Sequence, residues 1–170
     1  MVNMANLYIM CGLAFSGKST LARKIAEYTG SRLIAFDKLW VEKEKEQPIT
    51  KGDEGWRFIR KVAQDEIANT LKEGQSVVYD DNNIRLEHRE ELREIARGFG
   101  VNSIVIYLNT PMELIREREL ANKTTGERHK VEPENFQKVV EQLEVPSSNE
   151  NVLEFTPNTA IEKFLSELPK

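Results

Sequence analysis

Residues 12–19 read Gly-Leu-Ala-Phe-Ser-Gly-Lys-Ser, a complete G-x-x-x-x-G-K-S. At average composition such a match arises by chance in about half a per cent of chains of this length. Context narrows it further. The short apolar run Leu7 to Cys11 leads into the motif. A helix-patterned segment, Lys18 to Tyr28, leads out and is closed by Thr29-Gly30, with Gly30 as the cap. Strand, glycine loop and helix in that order make an anion cradle, because consecutive backbone N–H groups and the positive helix end face one point. In such a cradle Lys18 reaches the β- and γ-phosphates and the Ser19 hydroxyl coordinates Mg²⁺. Gly12, Leu13, Ala14, Phe15, Ser16, Gly17, Lys18, Ser19 and Thr20 are therefore the expected nucleotide contacts. Lys18 is expected to face solvent. Phe15 is bulky for such a loop, so its ring must turn away from the phosphates and pack on an adjacent segment.

Elsewhere strands and helices alternate. Arg32 to Phe36 is predicted as a second strand ending at Asp37, Ser76 to Tyr79 as a third, Ser103 to Leu108 as a fourth and Val152 to Phe155 as a fifth. Trp56, Ile59, Ala63, Ile67 and Leu71 recur at helical spacing up to Gly74. Leu92, Ile95, Ala96 and Phe99 mark a further helix, as do Phe136, Val139, Val140 and Leu143 before Pro146, and a closing helix follows Thr156-Pro157. Thr110-Pro111-x-Glu113 reads as a capping box. Glu42 to Gly55, a charge run broken by Pro48, Gly52 and Gly55, reads as an irregular excursion. Asn122 to Lys130 reads as a polar loop. The pattern predicts an α/β fold, a mainly parallel sheet covered on both faces, in one domain over residues 1–170. Ligands of such sheets sit at the carboxyl ends of the strands.

Composition removes several classes. With 39% hydrophobic and 31% charged residues, disorder is not expected. The longest apolar run is far too short to cross a bilayer, and no basic stretch precedes it, so neither a membrane span nor a secretory leader is expected. One cysteine, Cys11, and two histidines leave no internal disulfide and no Cys/His zinc site, and a reducing cytoplasm is the expected compartment. A net charge of −4 gives no global attraction to phosphate backbones.

Two acids accompany the phosphate loop. Val77-Val78-Tyr79-Asp80 is a hydrophobic strand running into an aspartate, the pattern of a Walker B element, which holds a Mg²⁺ water or orients Ser19. The alternative is an acid that caps the next helix, a role open to Asp81 in either case. Asp37, at the end of the second strand, faces the same sheet edge. A carboxylate there accepts the proton of an attacking hydroxyl or orients it, unless it merely forms the turn. Arg85, Arg89, Arg93 and Arg97 recur every four residues among Glu87, Glu90, Glu91 and Glu94, so a solvated ion-paired face is the default reading. Arg85 and Arg89, nearest the strand edge, are set apart from it. Arg116, Arg118, Lys123, Arg128, His129 and Lys130 flank or occupy the polar loop, where arginines would neutralise charge on a transferring phosphoryl group.

With these residues assembled, the chain resembles a family of small P-loop kinases. That family takes in the kinase half of polynucleotide kinase, the zeta-toxin and chloramphenicol phosphotransferase group, and seryl-tRNA kinase. The resemblance rests on Cys11-Gly12-Leu13 to Ser19-Thr20, on Asp37, and on Val77 to Asn83 with Arg89. It runs on through Arg118, Asn122, Arg128, Val131 and Phe136 to Leu143-Glu144-x-Pro146. It implies a sheet order of 2-3-1-4-5, ATP with Mg²⁺ as donor, and Asp37 facing an acceptor hydroxyl. It also puts Arg118 and Arg128 on a lid over the phosphates, with the lid loop expected over residues 122–131. Many relatives have an arginine three residues after the acceptor-site aspartate; Trp40 stands here instead and either packs or stacks on a planar acceptor. Asp37, Trp40, Asn83, Arg85 and Arg89 make up the expected acceptor side.

The implied function is an ATP-dependent phosphotransferase acting on a nucleoside, nucleotide, nucleic-acid end or small molecule. Two other classes stand beside it. A switch or binding module that holds or slowly hydrolyses ATP would share the phosphate loop. Asn122-Lys123-Thr124-Thr125, however, lacks the aspartate of a GTPase base-recognition motif. A nucleic-acid binder that merely senses ATP would need a basic patch, and no uninterrupted one is present.

Overall fold

The computed structural model describes residues 4–126 and 131–169. Its centre is β1 (Asn6–Cys11), buried along its whole length. Side chains alternate across a strand, and here both faces are apolar, so the strand is sandwiched rather than half exposed. Leu7, Ile9 and Cys11 enter one core and Tyr8 and Met10 enter the other. β2 (Arg32–Ala35), β3 (Val77–Asp80), β4 (Asn102–Leu108) and β5 (Val152–Phe155) complete a five-stranded sheet in the order β2-β3-β1-β4-β5. All four pairings are parallel. The expected fold class and strand order are those observed.

The helices form the outer layers. α1 (Lys18–Thr29) and α7 (Ile161–Ser166) cover one face through Leu21, Ala22, Ile25 and Phe164. α2 (Phe36–Glu46), α3 (Asp53–Lys72) and α4 (Leu86–Gly98) cover the other through Leu39, Ile59, Ala63, Ile67, Leu92 and Ala96. α5 (Met112–Thr125) and α6 (Pro133–Glu141) lie beyond the strand ends. They enclose a third, smaller core of Leu13, Phe15, Ile84 and Ile115, onto which Val131, Phe136, Val139 and Val140 pack.

Four local expectations are corrected. α2 replaces part of the excursion: the chain turns helical at Phe36, directly after β2, and Glu42 to Glu46 form its last turns. Glu and Lys are good helix formers even without an apolar stripe, and Lys43 and Glu46 pair at 3.0 Å. α5 runs through Thr125, closed by Gly126 at φ 64°, so the start of the supposed loop at 122 is helical. Thr110 caps nothing; Pro111 is the N-cap of α5. Asp81 does not cap α4 either, whose N-cap is Arg85.

Gly55 is required where α2 and α3 meet. A Cβ there would stand 2.0 Å from the Thr50 carbonyl, 2.8 Å from the Trp40 ring and 2.9 Å from Ile49. Trp40 is thus packed, half-buried, against this helix start, with its ring 6.2 Å from that of Phe36. Gly55→Ala is expected to lower unfolding free energy in urea by about 2 kcal/mol or more, the upper range for overpacking. An unchanged midpoint would mean that the α2–α3 junction is not packed as described.

Beneath the strand ends lies a buried ion pair. Arg89, on α4, donates to both carboxylate oxygens of Glu150, at 2.6 and 3.2 Å, and the two side chains are 1% and 3% exposed. Glu150 also accepts the Ser147 amide, and Arg89 donates to the Asn83 carbonyl. Burial raises the Glu150 carboxyl, but Arg89 and the Ser147 amide outweigh it and hold the carboxyl below its ordinary value. The stabilisation is therefore complete above the ordinary carboxylate range and is lost as pH falls through the lowered value. Glu150→Gln, which leaves Arg89 buried and uncompensated, is expected to cost about 3 kcal/mol or more at pH 7. It should also flatten the acid limb of the stability–pH curve measured by urea unfolding. A variant as stable as wild type would contradict the pairing.

Candidate active site

The loop between β1 and α1 is held open by backbone geometry rather than by side chains. Phe15 adopts φ 62° and Gly17 φ 97°. Phe15 bears that conformation because its ring is anchored in the third core, 6% exposed, turned into protein as expected. Three neighbours hold the loop from outside. The Asn82 carbonyl accepts the Gly12 amide at 3.0 Å, the Thr110 hydroxyl donates to the Ser16 carbonyl at 2.9 Å, and Arg118 Nη1 donates to the Phe15 carbonyl at 3.1 Å. From below, the Asn83 amide donates to the Met10 carbonyl at 2.8 Å. These bonds use carbonyls of the loop and of β1, or tie down the Gly12 amide alone.

The amino end of α1 has no side-chain cap and no acid in its first turn. Its first N–H groups and its dipole are thus uncompensated by the protein. Among the described residues the buried Ser16 hydroxyl has no hydrogen-bond partner. Lys18 opens the helix and, contrary to expectation, is buried at 8% exposure. An uncapped helix end, an orphaned hydroxyl and a buried lysine around one loop fit a phosphate chain.

β3 ends at Asp80, and a second acid, Asp81, follows directly. Val78 packs with α1 and Tyr79 with α3, so strand alternation puts Asp80 on the α1 side. Asp81 accepts the Asn82 amide at 2.7 Å and the Tyr79 hydroxyl at 3.1 Å. Its carboxyl is held above its ordinary value by burial, a push that the Asn82 amide, Lys18 and Tyr79 oppose and that Asp37 reinforces. Lys18, Asp81 and Asp37, from the ends of β1, β3 and β2, therefore share one electrostatic neighbourhood. Asp37 itself is exposed on the first turn of α2.

Among the described residues no group of three or more His, Cys, Asp or Glu side chains could hold a metal. Ser19 and Asp80 offer a hydroxyl and a carboxylate, the donor set that suits Mg²⁺ arriving on phosphate oxygens and keeping several waters.

Beside the loop opens a cleft of about 460 Å³, lined on one side by Arg118, Ala121, Asn122 and Thr125 of α5 and on the other by Phe155, Pro157 and Ile161. Its volume and its largely apolar walls suit a planar base.

The remaining expected residues fall elsewhere. Arg89 is interior, engaged with Glu150, and Asn83 is buried with it. Arg85 is exposed and pairs with Glu87 at 3.4 Å, while Arg93 and Arg97 pair with Glu90 as the default reading has it. Arg128, His129 and Lys130 lie outside the described residues. Cys11 is buried and its thiol is pushed up to about 12, chiefly by burial, so it is no nucleophile. Asp81 and Thr110, expected only as helix caps, and Glu150, not singled out at all, also contribute here; the local signal for Glu150 is the Ser147-x-x-Glu150 capping box that the structure contains.

Lys18→Ala is expected to keep a cooperative thermal transition while abolishing the rise in Tm that Mg-ATP gives wild type. A variant stabilised by Mg-ATP as wild type is would remove Lys18 from the phosphate site.

Comparison with known proteins places this geometry. A family model described as an AAA domain, AAA_33, matches residues 7–146. L-seryl-tRNA(Sec) kinase of Methanococcus maripaludis is 30% identical over 115 residues, 67% of this chain and 45% of that protein. Shikimate kinase of Persephonella marina is 30% identical over 117 residues, 68% of this chain and 67% of that protein. The chain thus matches less than half the length of the first relative. Kti12 of Chaetomium thermophilum, solved with ADP-AlF3, superimposes with a TM-score of 0.77 at 18% identity, covering 95% of this chain and 96% of that one, a likeness of fold. The chain belongs to the AAA_33 family of P-loop kinases.

Proposed function

We propose that this protein transfers the γ-phosphoryl group of ATP to a hydroxyl group of an acceptor. One observation carries the reading: the parallel sheet brings the uncapped start of α1 with Lys18, and the exposed Asp37 directly after β2, to the same edge of the sheet. A nucleotide switch needs the first of these residues but has no use for an exposed carboxylate on the acceptor side. The kinase relatives support the same class of reaction.

In the proposed reaction the backbone of Gly12 to Thr20 and Lys18 bind the phosphate chain, and the cleft beside Arg118 takes the base. Mg²⁺, held by Ser19 and Asp80, would neutralise charge on the β- and γ-phosphate oxygens when bound. Asp37 accepts the hydrogen bond of the acceptor hydroxyl, and its proton passes there as the oxygen–phosphorus bond forms. The bond from γ-phosphorus to the bridging oxygen breaks, and ADP leaves with the electron pair. Arg118, and Arg128 with it, would offset charge on the transferred group. Positioning and electrostatics supply most of the acceleration in such sites, so no side-chain nucleophile is needed.

The test is transfer of labelled γ-phosphate to a panel of nucleosides, nucleoside monophosphates, 5′-hydroxyl oligonucleotides, bulk tRNA and small hydroxy compounds. Asp37→Asn is expected to leave ATP affinity nearly unchanged and to lower transfer by roughly 10²- to 10⁴-fold, the range for acid–base groups. Collapse of ATP affinity with transfer per bound ATP preserved would make Asp37 structural.

A further inference from the structure

The glycine that shapes the phosphate loop leaves one of its peptides free to turn over. A peptide plane rotates through ψ of the residue before it and φ of the residue after it. Gly17, at φ 97°, tolerates φ of either sign at little cost. The Ser16–Gly17 peptide is trans, so its carbonyl and its N–H point in opposite directions. One orientation aims the Gly17 amide into the loop; the other aims the Ser16 carbonyl there. The first attracts a phosphate oxygen and the second repels it.

The structure holds the first orientation, and it does so through Thr110. The Thr110 hydroxyl donates to the Ser16 carbonyl at 2.9 Å from outside the loop. The Gly17 amide therefore points the other way, and among the described residues it has no acceptor. The peptide before it is differently placed, because the Ser16 amide is already engaged by the Leu13 carbonyl at 3.3 Å. Thr110 is itself well anchored, directly after β4. Its neighbour Asn109 donates its amide to the Phe155 carbonyl at 3.0 Å and its side chain to Glu154 at 2.7 Å. Leu108, the last residue of β4, lies against both loop glycines. A Cβ at Gly12 would stand 3.3 Å from the Leu108 Cβ, and one at Gly17 would stand 3.9 Å from its Cδ2. The end of β4 thus supports the loop at both glycines, and Thr110 fixes the peptide that glycine alone would leave loose.

We propose that Thr110 is a positioning residue of the phosphate site: its hydroxyl keeps the Ser16–Gly17 peptide from turning over and so presents the Gly17 amide to the phosphate chain. This rests on the nucleotide-binding part of the reading above and not on transfer, so it is testable without turnover. Thr110→Val keeps the side chain's shape and removes the donor, while Thr110→Ser keeps the donor. Inorganic tripolyphosphate with Mg²⁺ is titrated into the full chain and each variant, followed by calorimetry and by NMR of the backbone amides. The probe carries no base, so a loss of affinity cannot come through the adjoining cleft, which Thr110 also lines.

In wild type the Gly17 amide is expected to shift saturably. Affinity should fall roughly tenfold or more in Thr110→Val, as expected on losing a hydrogen bond to a charged group, and the Gly17 shift should shrink with it. Thr110→Ser should restore both. Thr110→Ala takes the place of Thr110→Val if the latter does not fold. A wild-type Gly17 amide that ignores the probe, equal affinity in Thr110→Val, or a loss that Thr110→Ser shares overturns the proposal. Transfer of labelled γ-phosphate separates this from the kinase reading. Where transfer occurs, Thr110→Val should raise KM for ATP and leave KM for the acceptor unchanged. Weakened tripolyphosphate binding in Thr110→Val, with no transfer by wild type to any acceptor, would keep the role of Thr110 and count against the kinase. Transfer by wild type, with the probe held as tightly in Thr110→Val, would do the reverse.

Discussion

The uncompensated amino end of α1 is the constraint on which the rest of this structure depends. A helix start with no cap and no acid, behind a loop with two residues at positive φ, is unfavourable on its own. It persists because every surrounding element is committed to holding it. β1 is buried on both faces, so its direction is fixed; Phe15 is anchored in a separate apolar core; Thr110, Arg118 and Asn82 engage the loop's polar backbone from three other segments. Positive potential is thereby concentrated at one edge of the sheet, where a phosphate chain would relieve it.

Support extends downward through Arg89. Its pair with Glu150 joins α4 to the turn before β5, and its bond to the Asn83 carbonyl joins both to the floor of the phosphate loop. A buried ion pair is a weak source of net stability but a costly one to break. Its role here is registration: two segments 61 residues apart are fixed relative to the strand ends that carry Asp81 and the loop.

The phosphate loop was legible in the sequence because its chemistry demands fixed residue types at fixed spacing. The five strands were legible because apolar runs ended at turn residues. What escaped depended on partners distant in sequence. Arg89 repeats every four residues with Arg85, Arg93 and Arg97 and reads, with Arg85, as an acceptor-side residue; Glu150, across the fold, takes it into the interior instead. Thr110 carries a capping signature, yet its hydroxyl finds the Ser16 carbonyl, 94 residues away. α2 escaped because a charged helix that leaves its strand without a cap has no periodic stripe to mark it. Asp81 stands behind Asp80, and a run of acids does not say which of them takes the Tyr79 hydroxyl and the Asn82 amide.

Amide hydrogen exchange of the full chain, with and without a non-hydrolysable ATP analogue and Mg²⁺, tests the central claim most directly. The account predicts marked slowing at the amides of residues 15–20, the loop and first turn of α1, with lesser change along the α5 wall of the adjoining cleft. Protection elsewhere, with those amides exchanging as before, would contradict it.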